Sequence, residues 1–258
     1  KFMPTETKEG GGKKPPPAVN LSALLGAMGQ RVLMIDLDPQ GNTTSGLGME
    51  VDDKSIYEVI MGRMKLTDVM EETEFKNLSI AGSDVRLANA ELELVEVEKR
   101  EYRLKTAVQS GQQDFDFIFI DCPPSLGLLT INALGAADSV LIPIQCEYYA
   151  LEGVASLMNT ISRVKKTINP HLEIEGVLLT MLDGRTNLGL QVVDEVKKHF
   201  KKQVYATVIP RSVRLGEAPS HGEPIHVYDK RSAGCVAYVN LAKEVLKRNN
   251  IKVKEFKL

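Results

Sequence analysis

Apolar residues along the chain fall into two kinds of pattern. Four short runs are close to continuous: RVLMID at 31–36, FDFIFID at 115–121, SVLIPIQ at 139–145 and EGVLLTML at 175–182, with a weaker fifth, VYATVIP, at 204–210. Runs of this length, rich in β-branched residues, predict strands buried on both faces of a parallel sheet. Between them the apolar positions recur at helical spacing. NLSALLGAMG (20–29) ends on a glycine suited to close a helix, and LEGVASLMNTISRVKKTI (151–168) stops before Asn169–Pro170. LGLQVVDEVKKHF (188–200) and AGCVAYVNLAKEVLKRN (233–249) are amphipathic. Strand and helix in alternation predict βαβ units with right-handed crossovers. No internal repeat and no Pro/Gly/Ser-rich linker divides the sequence. The expectation is one α/β domain over 1–258, a doubly wound, mostly parallel sheet flanked by helices on both faces.

Composition changes this little. A chain of 258 residues with 43% hydrophobic and 26% charged residues reads as a soluble globular protein. No apolar run approaches the roughly 20 residues of a membrane span, and the start has no signal-peptide pattern. Cys122, Cys146 and Cys235 are odd in number and widely spaced, which fits neither a metal motif nor a disulfide framework and suits a reducing cytoplasm. The formal charge is −2, yet residues 195–258 hold 14 Lys/Arg against 6 Asp/Glu. That segment reads as a solvated helix face or as a surface for a polyanion, and charge alone favours the first.

Chemistry concentrates at the predicted strand ends, where such sheets place their ligands. MIDLDPQGN puts Asp36 and Asp38 at one end, FIDCPPS puts Asp121 at another, and VIPRSVRLGEAPSHG (208–222) follows a third. A lone Asp after a strand is commonly a turn or helix cap. Two such ends beside a glycine-rich stretch, KEGGGKK at 8–14, point instead to phosphate chemistry. An acid closing a central strand can hold Mg²⁺ or its waters, the work of a Walker B aspartate, and Asp121 has that setting. Asp36 and Asp38 lie two residues apart on extended backbone, so their side chains share one side. One can orient an attacking water while the other supports it. His171, His199, His221 and His226 share no metal spacing with a carboxylate and are read as surface or loop residues.

Four blocks carry a family resemblance: VLMIDLDPQGNTTSGLG (32–48), FDFIFIDCPPSLGLLTINAL (115–134), VLIPIQCEYYALEG (140–153) and VIPRSVRLGEAPSHGEPIHVYDKRSAG (208–234). From about Ala18 to the C-terminal helix the chain resembles the ParA/Soj chromosome and plasmid partitioning ATPases, which are P-loop proteins of the deviant Walker A class. The resemblance implies hydrolysis of ATP to ADP with Mg²⁺ and a homodimer closed face to face on nucleotide. It also implies non-specific binding of that dimer to double-stranded DNA, and a ParB/Spo0J-type centromere-binding partner that stimulates hydrolysis. The implied location is cytoplasmic and nucleoid-associated, without stable membrane association. Residue by residue, Asp38 takes the place of the water-positioning aspartate and Asp121 that of the Walker B aspartate, both reaching Mg²⁺ mostly through water. Asp36 joins the nucleotide site. Pro210 and Arg211 match the adenine-side loop, and Arg185 and Arg214 match arginines used on DNA. For these two arginines an ion pair to Asp183 or Glu217 ranks second. Tyr148 and Tyr149 are expected to pack or to line the dimer face.

The stretch KEGGGKKPPPAVNLS (8–22) departs from the family motif K-G-G-V-G-K-T-T-T-A-V-N-L. Anchored on Ala18–Leu21, Gly10 and Gly11 take the first two glycines, Gly12 the valine and Lys13 the last glycine. Lys14 takes the catalytic Walker lysine, and Glu9 takes the signature lysine that reaches across the dimer. Pro15, Pro16 and Pro17 take the three threonines, so the Mg²⁺-ligating hydroxyl at position 15 is lost. Proline has no N–H, and up to three donors at a helix N-terminus disappear with it. Lys13 places a Cβ where the loop favours φ > 0, and Glu9 brings negative charge toward phosphate. Each lost charge-assisted contact is worth about 1.5–3 kcal/mol, so weak Mg-ATP binding is expected. The preceding KFMPTETK does not read as the apolar first strand that such a fold requires. A one-base slip in AAA-ACC-ACC-ACC yields AAA-CCA-CCA, which would turn Lys-Thr-Thr-Thr into Lys-Pro-Pro-Pro. Two further readings stand beside the ATPase: a non-hydrolysing relative with a defective loop, and a MinD-like membrane ATPase. The last requires a C-terminal amphipathic helix, and KEVLKRNNIKVKEFKL (243–258) is basic but broken at Asn249–Asn250.

Overall fold

The computed structural model describes residues 2–4, 17–111, 114–147, 150–253 and 256. Its strands are β1 (Phe2–Pro4), β2 (Val32–Asp36), β3 (Met70–Glu72), β4 (Leu78–Ala81), β5 (Phe117–Cys122), β6 (Ser139–Gln145), β7 (Glu173–Leu182) and β8 (Val204–Pro210). The helices are α1 (Pro17–Ala27), α2 (Asn42–Gly46), α3 (Ile56–Ile60), α4 (Leu66–Val69), α5 (Leu87–Glu93), α6 (Arg103–Gly111), α7 (Leu128–Ala136), α8 (Ala150–Thr167), α9 (Asn187–Phe200), α10 (Val213–Glu217), α11 (Ile225–Tyr228) and α12 (Ala233–Arg248). The strands form one sheet in the order β3-β4-β2-β5-β1-β6-β7-β8. Every pairing is parallel except the edge pair β3 and β4.

The pleat sends alternate residues to opposite faces, and each face has its own core. On β2, Leu33 and Ile35 enter one cluster with α6, α7, α8 and α9, through Leu104, Leu134, Ile161 and Val196. Val32 and Met34 enter the other with α1 and α12, through Leu24, Leu25, Leu241 and Val245. Burial on both sides explains the unbroken apolar runs in the sequence. All five predicted strands are present, as are the four predicted helices. The helix α1 closes as its glycine predicts: Gly29 has φ +93°, its N–H donates to Gly26 O (2.9 Å), and Gln30 N–H donates to Leu25 O (3.0 Å).

One reading is corrected. KFMPTETK was expected not to supply the first strand, yet Phe2–Pro4 pairs with β5 (Met3 with Asp121, Pro4 with Cys122) and with β6 (Phe2 with Val140). The strand is only three residues long, and a run that short shows no periodicity. Proline at its end needs no ladder donor beyond it. The chain break anticipated at Asn249–Asn250 is present, with α12 ending at Arg248 and Asn250 at φ +57°. Among the described residues no helix is long and apolar enough to cross a membrane.

Candidate functional site

Because β2 and β5 are parallel neighbours, Asp36 and Asp121 are register partners at the C-terminal ends of both strands. Asp38 follows in the loop. All three are buried, at 0%, 1% and 3% exposure for Asp36, Asp121 and Asp38. The structure therefore brings together the three carboxylates singled out in the sequence. Burial in one cluster disfavours ionisation. Desolvation, partly offset by hydrogen bonds from Thr44, pushes Asp36 up to about 6, and desolvation with the neighbouring Asp36 charge raises Asp121 well above the usual range.

Two adjacent hydroxyls on α2 brace this cluster, and sequence reading passed over both. Thr44 donates its N–H (2.8 Å) and its Oγ1 (2.7 Å) to Asp36 Oδ2, while Thr44 Oγ1 accepts from Ser83 N–H (3.0 Å). Thr43 Oγ1 donates to Asp121 Oδ2 at 2.6 Å. The only trace in the sequence is the Thr-Thr pair inside NTTSG. Asp38 N–H donates to Asp36 Oδ1 (3.2 Å), and Gln40 N–H donates to Asp38 Oδ1 (3.0 Å). Asp121 Oδ1 is buried and takes no hydrogen bond among the described residues. A buried acceptor left open in this way fits the water shell of a hydrated Mg²⁺ on the carboxylate side. Among the described residues no group of three His, Cys, Asp or Glu side chains is arranged to hold a metal ion.

Beside the cluster opens a cleft of 1220 Å³. Asn42 and Ser45 of α2, Asp183 and Arg185 beyond β7, and Arg211 beyond β8 line it. Part of its wall is a contact of bare backbone: a Cβ on Gly222 would come within 2.7 Å of Gly48 Cα, so neither residue can carry a side chain cheaply. Arg211 faces the cleft. Pro210 does not; it lines a separate groove with Val208 and Ala237. The candidates Gly10, Gly11, Gly12, Lys13, Lys14, Pro15 and Pro16 lie outside the described residues, as do Tyr148 and Tyr149. Pro17 is the first residue of α1 and is buried. Its fixed φ suits that position, and the N–H it lacks would have no partner within the helix.

The ion pairs ranked second for the two arginines are formed. Arg185 donates from Nε (2.9 Å) and Nη2 (2.8 Å) to Asp183, and these bonds hold the Asp183 carboxyl down to about 2. Arg214 pairs with Glu217 at 2.9 Å and lies 3.5 Å from Asp229. The Arg185 side chain is still 90% exposed, and a surface pair of this kind is weak and screened by salt. His226 departs from the surface reading: it is half-buried on α11, and burial pushes its imidazole down to about 4.

The raised carboxylate has a signature in stability. With a folded value of about 6 against 3.8 unfolded, protonation of Asp36 favours the fold. That advantage is complete below about pH 4 and is lost as pH rises through 6. His226 acts oppositely in the same window, because its depressed value penalises the fold as the pH falls. Comparing the parent with Asp36→Asn cancels the histidine. The parent's Tm is expected to gain on the variant's between pH 7 and pH 4.5 in thermal melts; parallel curves would contradict the assignment.

Comparison with known proteins gives a consistent picture. The family described as an AAA domain matches residues 3–174. The chain is 55% identical over 247 residues to the sporulation initiation inhibitor protein Soj of Bacillus subtilis, covering 95% of this chain and 98% of that one. It is 49% identical to the chromosome partitioning protein ParA of Myxococcus xanthus, covering 95% and 87%. Among solved structures, cobyrinic acid a,c-diamide synthase from Mycobacterium smegmatis, with bound ATP analog and magnesium, superposes with a TM-score of 0.82 at 35% identity, covering 95% and 94%. The cell division ATPase MinD of Pyrococcus furiosus superposes with a TM-score of 0.77 at 26% identity, covering 95% and 98%.

Proposed function

The chain belongs to the ParA/Soj family of chromosome-partitioning ATPases, and on that premise we propose that it works as a nucleotide-switched DNA-binding dimer whose chemical centre is the Asp36–Asp38–Asp121 cluster. The observation that carries the reading is the meeting of these carboxylates at adjoining strand ends, braced from α2, beside a cleft large enough for a nucleoside. Asp36 has both oxygens engaged, by Thr44 and by Asp38 N–H, and serves as the brace. Asp38 has one oxygen fixed by Gln40 N–H and the other without a hydrogen bond among the described residues. That free oxygen is the one to orient an attacking water. Asp121, through Oδ1, would hold a hydrated Mg²⁺ by way of its water shell, and the ion would neutralise phosphate charge. The cleft wall at Arg211 and Asp183 takes the base and ribose.

The phosphate side fits less well. Pro15–Pro17 withhold the N–H groups and the hydroxyl that the family loop supplies, and Lys13 puts a side chain where that loop has a glycine; both favour a second reading in which the chain keeps the fold and turns over little ATP. Dimer formation, a ParB-type partner and a nucleoid location come with the family reading.

DNA binding has a direct test. At a net charge of −2 the whole surface cannot attract DNA, so binding needs a concentrated patch. Arg185 and Arg214 are exposed on loops or short helices beyond β7 and β8, where each can trade a weak ion pair for phosphate. The double variant Arg185→Ala with Arg214→Ala is expected to lose DNA binding while retaining its fold. In the parent, affinity for unrelated duplexes should be equal and should fall steeply with salt. Full binding by the folded double variant in mobility shifts would move the DNA surface elsewhere, first to the basic end of α12.

A further inference from the structure

The sheet ends at β8, and the edge of that strand lies beside α12. Two grooves open between them, of 770 Å³ and 790 Å³, and the exposed Ala206 lines both. Ala233, Val236 and Ala237 wall the first; Lys243 and Lys247 wall the second. On this wall the helical pattern i, i+3, i+4, i+7 runs from position 233 to 240 and repeats from 240 to 247, so one face of α12 joins the two grooves into a single trough. The face is about 20 Å long, which is the span of about six extended residues.

The strand at the bottom of the trough is closed to a further strand. Between Val204 and Val208, β8 takes four residue steps where β7, from Val177 to Leu179, takes two. At this bulge two successive N–H groups meet one carboxylate: Ala206 N–H donates to Glu244 Oε1 (2.8 Å) and Thr207 N–H to Glu244 Oε2 (3.0 Å). Arg248 Nη2 also donates to Glu244 Oε1 (3.0 Å), so this acid is engaged at both oxygens and its charge is met. Glu244 thus blocks edge pairing at the middle of the strand, and an occupant has to be held by its side chains.

The two ends of the trough differ in chemistry. Val236, 49% exposed, meets Val208 and Pro210 at the apolar end. At the other end Lys243 and Lys247 enter no ion pair among the described residues. We propose that the trough docks an extended acidic segment of a partner protein, with apolar residues over Val236 and Asp or Glu beside Lys243 and Lys247. A second copy packed here about a two-fold axis offers only the same surface, with no free acid for the lysines. A nucleic acid finds two lysines at one end and nothing for its phosphates at the other. The inference goes beyond the partitioning reading and needs neither nucleotide nor DNA.

The probe is a labelled peptide of about seven residues with two Val at one end and three Glu at the other, long enough to span the trough. One control carries Lys for Glu, and a second carries Ser for Val. Fluorescence anisotropy with the full chain is expected to show saturable binding of the Val/Glu peptide and at least tenfold weaker binding of either control. Lys243→Glu with Lys247→Glu should turn the preference toward the Lys control, and Lys247→Glu alone, at an exposed position, should weaken the Val/Glu peptide in the same direction. Val236→Asp should weaken it at least tenfold at unchanged Tm, since that side chain is half exposed. No binding of the Val/Glu peptide, equal binding of the three peptides, or equal binding by parent and variants would each overturn the proposal. A parent dimer that dissociates in Val236→Asp would overturn it in favour of a second copy. Duplex DNA that binds more tightly than the peptide, and is lost in the double lysine variant, would overturn it in favour of a nucleic acid.

Discussion

Replacing Glu9–Pro17 by K-G-G-V-G-K-T-T-T is expected to convert a chain that binds Mg-ATP weakly into one that dimerises on ATP. The receiving structure is already in place. The helix α1 starts at Pro17 and is buried along its length, so its N-terminus is fixed where phosphate would meet it. What is absent is chemical: N–H donors at positions 15 and 16, a glycine at 13, a hydroxyl for Mg²⁺ and a positive charge at 9. Two lost charge-assisted contacts amount to about 4 kcal/mol, or roughly a thousandfold in affinity. Equilibrium titration with ATP, with and without Mg²⁺, should show that gap. Light scattering should show ATP-dependent doubling of mass only in the restored chain. Equal dimerisation of both would mean that the prolines are harmless and that the loop binds by some other set of donors. Resequencing the gene across the first 18 codons tests the one-base slip separately; three unambiguous CCN codons would end that explanation.

In the restored chain, Asp38→Ala is expected to lower kcat by at least about a hundredfold while sparing nucleotide binding and dimerisation. The separation follows from the hydrogen bonds. Asp38 contributes its N–H to Asp36 through the backbone, which alanine retains, and among the described residues its side chain is held only by Gln40 N–H. Truncation therefore removes the group that aims water without dismantling the cluster. Asp36→Ala would be a poorer probe, because it orphans the buried N–H and hydroxyl of Thr44. Single-turnover hydrolysis in Asp38→Ala at the parent's rate would remove Asp38 from the reaction.

The sheet was legible at the five longer buried runs, because continuous apolar stretches such as VLMID and FIFID leave few alternatives, but not at the exposed edge strand β3 or at buried β4, whose LSIA is only four residues long. It was illegible at β1, where three residues take their register from β5 and β6 rather than from any pattern of their own. The carboxylates were legible because an acid ending an apolar strand is conspicuous. Thr43 and Thr44 were not: a hydroxyl in a loop has many uses, and only the folded register of β2 beside β5 shows that one serves Asp121 and the other Asp36. The trough beside β8 was hidden differently. The amphipathic pattern of α12 predicts its core face, and nothing in the sequence says that Val236 stays uncovered on the other side. The pairing of Arg185 with Asp183 was visible as an alternative, two residues apart, and the loop geometry decided for it.

The short helix α2 turns Thr43 and Thr44 toward the carboxylates and Asn42 and Ser45 toward the cleft. Five residues make little more than one turn, too short to bend in the middle. It therefore shows one face to the acids and another to the cleft, so a single turn of backbone is the wall that the two compartments share.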